Sequence, residues 1–371
     1  MTVAILYRED LKEYDFGPGH PFRGDRYQIF PRFLADRVPA DDRYTFLKAE
    51  PATDDDLRLI CDPDYIAFTK QYFRAAHTGQ ADDSDFYRYH TLDNHPVGRP
   101  GKLEEAARVI IGQAKRAADM VQAGEYRQVI SLGGGMHHAK RGSGEGFCLY
   151  NDVAFAGVYL LERHRLQRVL ILDTDAHAGN GTAEYFYSDP RVLFIDVHQD
   201  PHTLYPGVGF AHEIGEGEGK GFTVNIPLPE GAGDDSYRLA FEQVIEPLVA
   251  EFQPQVIIRN GGSDPHFNDE LTGLGLTVAG FHMIGEKTRR LAEVCGGREI
   301  DLIASGYNRQ VLPYAWMALV AGLTGWDVPL EEPGKVPAPL RPDSRVGRTQ
   351  QVIDELKGHL KPYWRCFRAG G

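Results

Sequence analysis

Seven short valine- and isoleucine-rich runs recur along this chain, and most are apolar at consecutive positions rather than alternate ones. They are TVAILY (2–7), RQVISL (127–132), RVLILDTD (168–175), RVLFIDVH (191–198), FTVNIPL (222–228), PQVIIRNGG (254–262) and IDLIASG (300–306). A strand with one wet face alternates in polarity. A strand apolar on both faces must be covered on both, as in a parallel sheet held between helical layers. The segments between the runs supply those helices: KLEEAARVIIGQAKRAADMVQAG (102–124), NDVAFAGVYLLERHR (151–165), DDSYRLAFEQVIEPLVAEF (234–252), TVAGFHMIGEKTRRLAEVC (277–295) and LPYAWMALVAGL (312–323). Gly124 closes the first as a C-cap. Repeated βαβ alternation without a composition break predicts one doubly wound α/β domain spanning 1–371.

Two stretches read as long surface loops, one from ATDDDLRLICDPDY through DNHPVGRPG with helical pieces inside it, the other HQDPHTLYPGVGFAHEIGEGEGKG (198–221). Loops of that length in a compact domain are often functional. The tail after Trp326 is proline-rich and then charged, which suggests a peripheral helix or an oligomer contact.

Composition narrows the partners. With 40 Lys and Arg against 53 Asp and Glu the net charge is −13, which argues against nucleic-acid phosphate and leaves basic targets such as a lysine peptide or a polyamine open. The four cysteines, Cys61, Cys148, Cys295 and Cys366, have no CxxC spacing, so we expect reduced thiols rather than a disulfide framework. MTVAILYREDL carries charge early and lacks a long apolar core, so we expect a cytoplasmic protein without a signal peptide or membrane span.

The chemistry lies where four strand runs end. Open parallel sheets bind ligands beyond the carboxyl ends of their strands. Here VISLGGG leads to His137-His138, VLILDTD to Asp175 and His177, VIIRNGGS to Asp264, and DLIASG to Tyr307. Asp175 and His177, two apart in an extended segment, point the same way. With Asp264 they form a two-carboxylate, one-imidazole set, which leaves the open positions that a catalytic zinc needs for water and substrate. A lone D-x-H is usually a strand-end cap; three such features at strand ends weigh much more. His137 and His138 are either two exposed loop imidazoles or a general base with a differently tuned neighbour. Asp173 could accept a hydrogen bond from one of them and Asn180 from the other, setting tautomer and basicity. Tyr307 could donate to a developing oxyanion.

These residues sit in segments that resemble the successive signatures of the zinc-dependent histone deacetylase family, which includes acetoin-utilisation proteins and acetylpolyamine amidohydrolases. The segments are GGGMHHAKRGSGEGFCLYNDVA (133–154), DTDAHAGNGT (173–182), VHQDPHTLYPGVGF (197–210), GGSDPHFNDELTGLGLT (261–277) and SGYN (305–308), with DFGPGHPFRGDR (15–26) like the N-terminal segment of prokaryotic members. The resemblance runs over about 15–325 and leaves 326–371 as a C-terminal extension. It implies an arginase/deacetylase-like three-layer α/β/α fold around a mostly parallel sheet of about eight strands. It also implies Asp175, His177 and Asp264 as zinc ligands, His138 as general base, His137 as the electrostatic partner that would protonate the leaving amine, and Tyr307 as oxyanion donor. Phe147 and Tyr205 match the aromatic walls of an acyl-lysine tunnel lined by Gly146, which would bury a lysine stem; ordinary core is the plainer explanation for both rings. Asp93 matches a rim aspartate that holds the substrate backbone. A structural potassium is implied at Asp173, Asp175, His177, Asp196 and Val197, and a second near Phe186, Asp189 and Val192.

The chain departs from the family pattern at several points. Ala178 replaces the usual second histidine, as in the class IV branch, and Asp196 replaces a common serine. Asn180 stands where class I members have aspartate, and the tyrosine loop reads ASGY. Leu271 occupies the position of a gatekeeper glutamate in polyamine-type members, with Glu270 one residue away, which favours acyl-lysine over acetylpolyamine. The expected reaction is hydrolysis of an N-ε-acyl-lysine amide. Deacylation of a polyamine or another small amine, a preference for longer acyl chains, and a pseudo-enzyme that binds acylated lysine are the alternatives. A binuclear ureohydrolase would want a carboxylate at Gly179. A homo-oligomer is compatible with all of these.

Overall fold

The computed structural model describes residues 2–39 and 43–368, so the start of the N-terminal segment and the last three residues of the C-terminal extension lie outside the described residues. Strands form at Val3–Leu6 (β1), Tyr44–Leu47 (β2), Gln128–Leu132 (β3), Val169–Asp173 (β4), Val192–Gln199 (β5), Thr223–Leu228 (β6), Val256–Asn260 (β7) and Glu299–Ile303 (β8). They make one parallel sheet in the order β2-β1-β3-β8-β7-β4-β5-β6. β1, β4, β5, β7 and β8 are buried at every residue, as two-sided coverage requires. Helix Leu103–Ala123 packs on Asp152–Glu162, and Val278–Leu291 packs on Leu312–Thr324, which also meets Arg26–Arg37. The result is the three-layer α/β/α arrangement.

Two elements depart from the sequence expectation. β2 was not foreseen: it is a four-residue edge strand paired, among the described residues, with β1 alone, its residues half-buried or exposed, so it lacks the apolar run that marks the others. The first long loop contains a 16-residue helix, Pro63–Thr78, closed by Gly79 at φ +73°. Its buried residues Tyr65, Ile66, Thr69, Tyr72, Phe73 and Ala76 follow the helical period. Aspartate-rich flanks mask that period in the sequence. The second loop stays largely irregular from Asp200 to Gly221, apart from the single 3₁₀ turn Gly217–Gly219.

The C-terminal extension is bound to the body by specific polar contacts. Asp343 Oδ2 accepts from the Gly233 and Ser236 amides at 2.9 and 3.0 Å, at the start of helix Asp234–Ala240. Glu332 Oε2 accepts from the Val278 amide at 2.7 Å, while its Oε1 lies 2.8 Å from His266 Nε2. Both acids satisfy helix N-terminal N–H groups that otherwise lack partners. Helix Val346–Leu360 buries Ile353, Leu356 and Leu360, and beyond it Trp364 packs on Phe222 and Phe252 while its Nε1 donates to Gly221 O at 2.7 Å. Trp364→Ala should therefore cost about 3–5 kcal/mol of stability, read as a lower denaturant midpoint; an unchanged midpoint would show that the tail only rests on the surface. Among the described residues no helix is long and apolar enough to cross a membrane.

Candidate active site

β3, β8, β7 and β4 are consecutive in the sheet, so the loops leaving their carboxyl ends converge. The β4 loop carries Asp175 and His177, and the β7 loop carries Asp264. One ligand-type atom from each lies within 4.8 Å of the others, and all three residues are buried. His177 Nδ1 is 3.1 Å from both Asp175 Oδ1 and Asp264 Oδ2. Ser305 Oγ, from the β8 loop, donates to Asp264 Oδ1 at 2.6 Å. Burial, and then the charge of Asp175, push the Asp264 carboxyl up to about 8. Two carboxylates in so dry a site cannot both ionise cheaply unless a cation joins them, and this donor set fits one.

The β3 loop lays His137 and His138 against this group. His137 Nδ1 is 2.9 Å from Asp173 Oδ2, and its Nε2 is 3.8 Å from Asp175 Oδ1 and 3.1 Å from His138 Nε2. Asn260 Nδ2 donates to both oxygens of Asp173, at 3.0 and 2.9 Å. His138 Nδ1 meets Asn180 Oδ1 at 2.7 Å. The two imidazoles are adjacent yet opposite in charge preference. Burial opposes the charged form of His137, but Asp173 and Asp175 overcome it and push its pKa up to about 9. Burial holds His138 well below the usual imidazole range, and the neighbouring His137 and His177 reinforce it. Titratable neighbours driven apart in this way are the usual mark of an acid and a base.

Tyr307 closes the other side. Its amide donates to Asp269 Oδ2 at 2.8 Å, and its ring centroid lies 5.9 Å from that of Phe147 and 6.4 Å from that of His177. Gly306 sits at φ +127°, where a Cβ would fall 1.8 Å from Ser263 Oγ, so the turn that aims Tyr307 admits only glycine. Gly146 is under the same constraint: φ is +59°, and a Cβ would meet the His138 ring at 2.2 Å. Tyr205 is partly exposed, with its ring 5.1 Å from His138, and Leu271 is exposed as well. Asp93 Oδ2 accepts from the Gly146 amide at 2.6 Å while its Oδ1 accepts from Thr91 Oγ1, so Asp93 anchors the Gly146 turn.

Of the residues singled out for potassium, Asp173 ends β4, Asp175 and His177 follow it, and Asp196 and Val197 lie in the neighbouring β5. Asp173 Oδ1 accepts from the Asp175 amide at 3.1 Å, and Asp196 Oδ2 from Gly179 at 2.8 Å, while Asp196 Oδ1 is 2.9 Å from His198 Nδ1. Val197 is a buried residue of β5. Phe186 O accepts from Asp189 N at 3.0 Å, Asp189 O from Val192 N at 3.2 Å, and the Asp189 carboxylate holds Arg191. Ala178 borders a cavity of about 200 Å³ shared with Asp196, Glu213 and Asn225.

Sequence reasoning did not single out Asn260, Ser305, Glu145, Asp269 or Arg26. Asn260 and Ser305 carry a faint signal, being polar at or just past the end of a buried strand. Arg26 lies 278 residues from the Ala304 carbonyl it donates to at 2.8 Å and stacks 3.9 Å over Phe22, a contact no local pattern reveals.

The histone deacetylase domain model matches residues 20–323. The chain belongs to the histone deacetylase family. A probable deacetylase of Archaeoglobus fulgidus is 34% identical to this deacetylase, covering 99% of the chain and 100% of the relative. The acetoin utilization protein AcuC of Bacillus subtilis is 34% identical, over 87% of the chain and 82% of the relative. AcuC of Staphylococcus aureus is 35% identical, over 85% and 79%. In fold, the deacetylase superposes on a crystal structure of the HDA15 HD domain with a TM-score of 0.83 at 24% identity, covering 99% of this chain and 97% of the other. This family member is therefore a hydrolase acting on amides.

Proposed function

We propose that this deacetylase removes an acyl group from the ε-amine of lysine side chains. The observation that carries the reading is the pair of adjacent, oppositely tuned imidazoles set against a buried Asp–His–Asp group. Asp175, His177 and Asp264 would hold one zinc ion, which when bound supplies Lewis-acid activation of the carbonyl and of the attacking water. His138, neutral, takes the proton of that water. His137, charged and braced by Asp173, delivers a proton to the departing amine. Tyr307 donates its O–H to the carbonyl oxygen as charge builds there; burial keeps this phenol far above its usual range, and so protonated. Phe147 and Tyr205 would flank the lysine stem, leaving a free amine and a carboxylate as products. A potassium ion would suit the carbonyls and carboxylates around Asp173, Asp196 and Val197, with a second at the Phe186–Val192 turn. The net charge of −13 suits a lysine-bearing substrate in the cytoplasm.

Tyr307→Phe should lower kcat by about 10²–10³-fold on an acetyl-lysine peptide, with zinc content unchanged. Full turnover in this variant would sink the assignment. Acetylputrescine and a series of acyl chain lengths, run beside the peptide, measure carrier and acyl preference directly.

A further inference from the structure

We infer that Glu145 is a positioning residue which fixes the tautomer of His138 by orienting the side-chain amide of Asn180. The inference rests on the reading of His138 as the base. Among the described residues Asn180 is the one whose side chain meets His138 Nδ1, at 2.7 Å, and an amide can present either its oxygen or its NH₂ there. With the oxygen inward, His138 must carry its proton on Nδ1, and Nε2 keeps a lone pair for the reaction. With the NH₂ inward, the proton moves to Nε2 and the base is lost. Nothing in the His138–Asn180 pair itself decides between the two.

Glu145 decides it. Its Oε1 lies 2.5 Å from Asn180 Nδ2, and Lys140 Nζ stands 3.5 Å from the same oxygen. A lysine-paired carboxylate accepts hydrogen bonds and donates none, so it takes the NH₂ and turns the amide oxygen toward the imidazole. The placement comes from a tight turn. Gly146 and Phe147 both adopt positive φ, +59° and +65°, and Cys148 N donates back to Glu145 O at 2.9 Å. That is the pattern of a type I′ turn. One turn thus brings Phe147 beside Tyr307 and sets Glu145 behind Asn180. The same geometry accounts for asparagine here instead of aspartate: a carboxylate at position 180 would face Glu145 within hydrogen-bonding distance, with no proton between them.

The test uses the zinc-loaded full chain with ¹⁵N-labelled histidine, the His138 signals being assigned by their loss in His138→Ala. We expect the Nδ1–H tautomer in the native protein and a mixture in Glu145→Ala, with kcat down about 10–100-fold and KM little changed, the size seen for partners that orient a site's ligands. Glu145→Gln, which keeps an acceptor oxygen, should retain the tautomer and most of the rate. Asn180→Asp should lose activity, and adding Glu145→Gln to it should restore most of what was lost, since the introduced glutamine can donate to the introduced carboxylate. A native tautomer in Glu145→Ala with kcat within twofold would overturn the proposal, as would a double variant no better than Asn180→Asp alone. If instead His138→Ala itself keeps native turnover, the base assignment fails first, and the tautomer measurement still reports whether Glu145 sets the amide.

Discussion

Asp264→Asn is expected to leave a folded protein that no longer holds zinc. Asparagine has the shape of aspartate, so Ser305 Oγ keeps an oxygen to donate to in place of Asp264 Oδ1. What disappears is one of two buried carboxylates, the one that burial, and then the charge of Asp175, already push up to about 8. Without metal, the variant should therefore be at least as stable as the native chain. With metal, the two should part. A ligand that binds only the folded state raises stability by mass action, by about 4 kcal/mol at a thousand times its dissociation constant. The native Tm should climb with added zinc while the variant's stays flat. Turnover should fall by more than about 10²-fold, beyond the 10–100-fold loss typical of partners that merely orient ligands. A variant that keeps stoichiometric zinc and native turnover would remove Asp264 from the metal site.

His138→Ala should be the converse case, with zinc kept and chemistry lost. His138 contributes no ligand atom to the Asp175–His177–Asp264 group, so metal content should stay near that of the native protein. General base catalysis by a positioned side chain is worth about 10²–10⁴-fold, and kcat should fall by that amount. His137→Ala should behave differently, because burial holds His138 neutral and the charge of His137 reinforces it. Removing it takes away the proton donor and also relieves the pressure on His138. Measured by kcat on one acetyl-lysine peptide, equal losses in both variants together with lost zinc would show that the imidazoles bind metal instead of moving protons.

How much of this could be read from the sequence depended on the range of the interaction. The strands announced themselves because burial on both faces leaves an uninterrupted apolar run. β2 did not, because an edge strand has half that burden. Asp175, His177, Asp264, His137, His138 and Tyr307 were visible because each follows such a run directly. The partners that orient them were less so. Asp173 and Asn180 lie inside the same motif, but Asn260 reaches Asp173 across a strand pair and Ser305 reaches Asp264 across a loop pair. Glu145 stands among glycines, GSGEGF, with no periodic or spacing signal to single it out. The extension was legible only as a peripheral helix or an oligomer contact. Its capping acids, Glu332 and Asp343, act on amides 54 and 110 residues away.

The strand order also has a bearing on how the molecule is made. β3 and β4 are early in the chain but do not touch; β7 and β8, the last strands synthesised, insert between them. Until those two arrive there are only separate half-sheets, β2-β1-β3 and β4-β5-β6, each with an open edge that should be paired. Asp264 and Tyr307 arrive with the same two strands. A nascent chain emerging amino end first would therefore bring Asp175, His177 and Asp264 together when β7 docks on β4, and would add Tyr307 only when β8 closes the seam to β3. Arrival of the oxyanion donor would thus mark the end of folding, and a product cut short before Glu299 would keep the Asp175–His177–Asp264 group but leave β3 and β7 with unpaired edges, a target for chaperones and proteases.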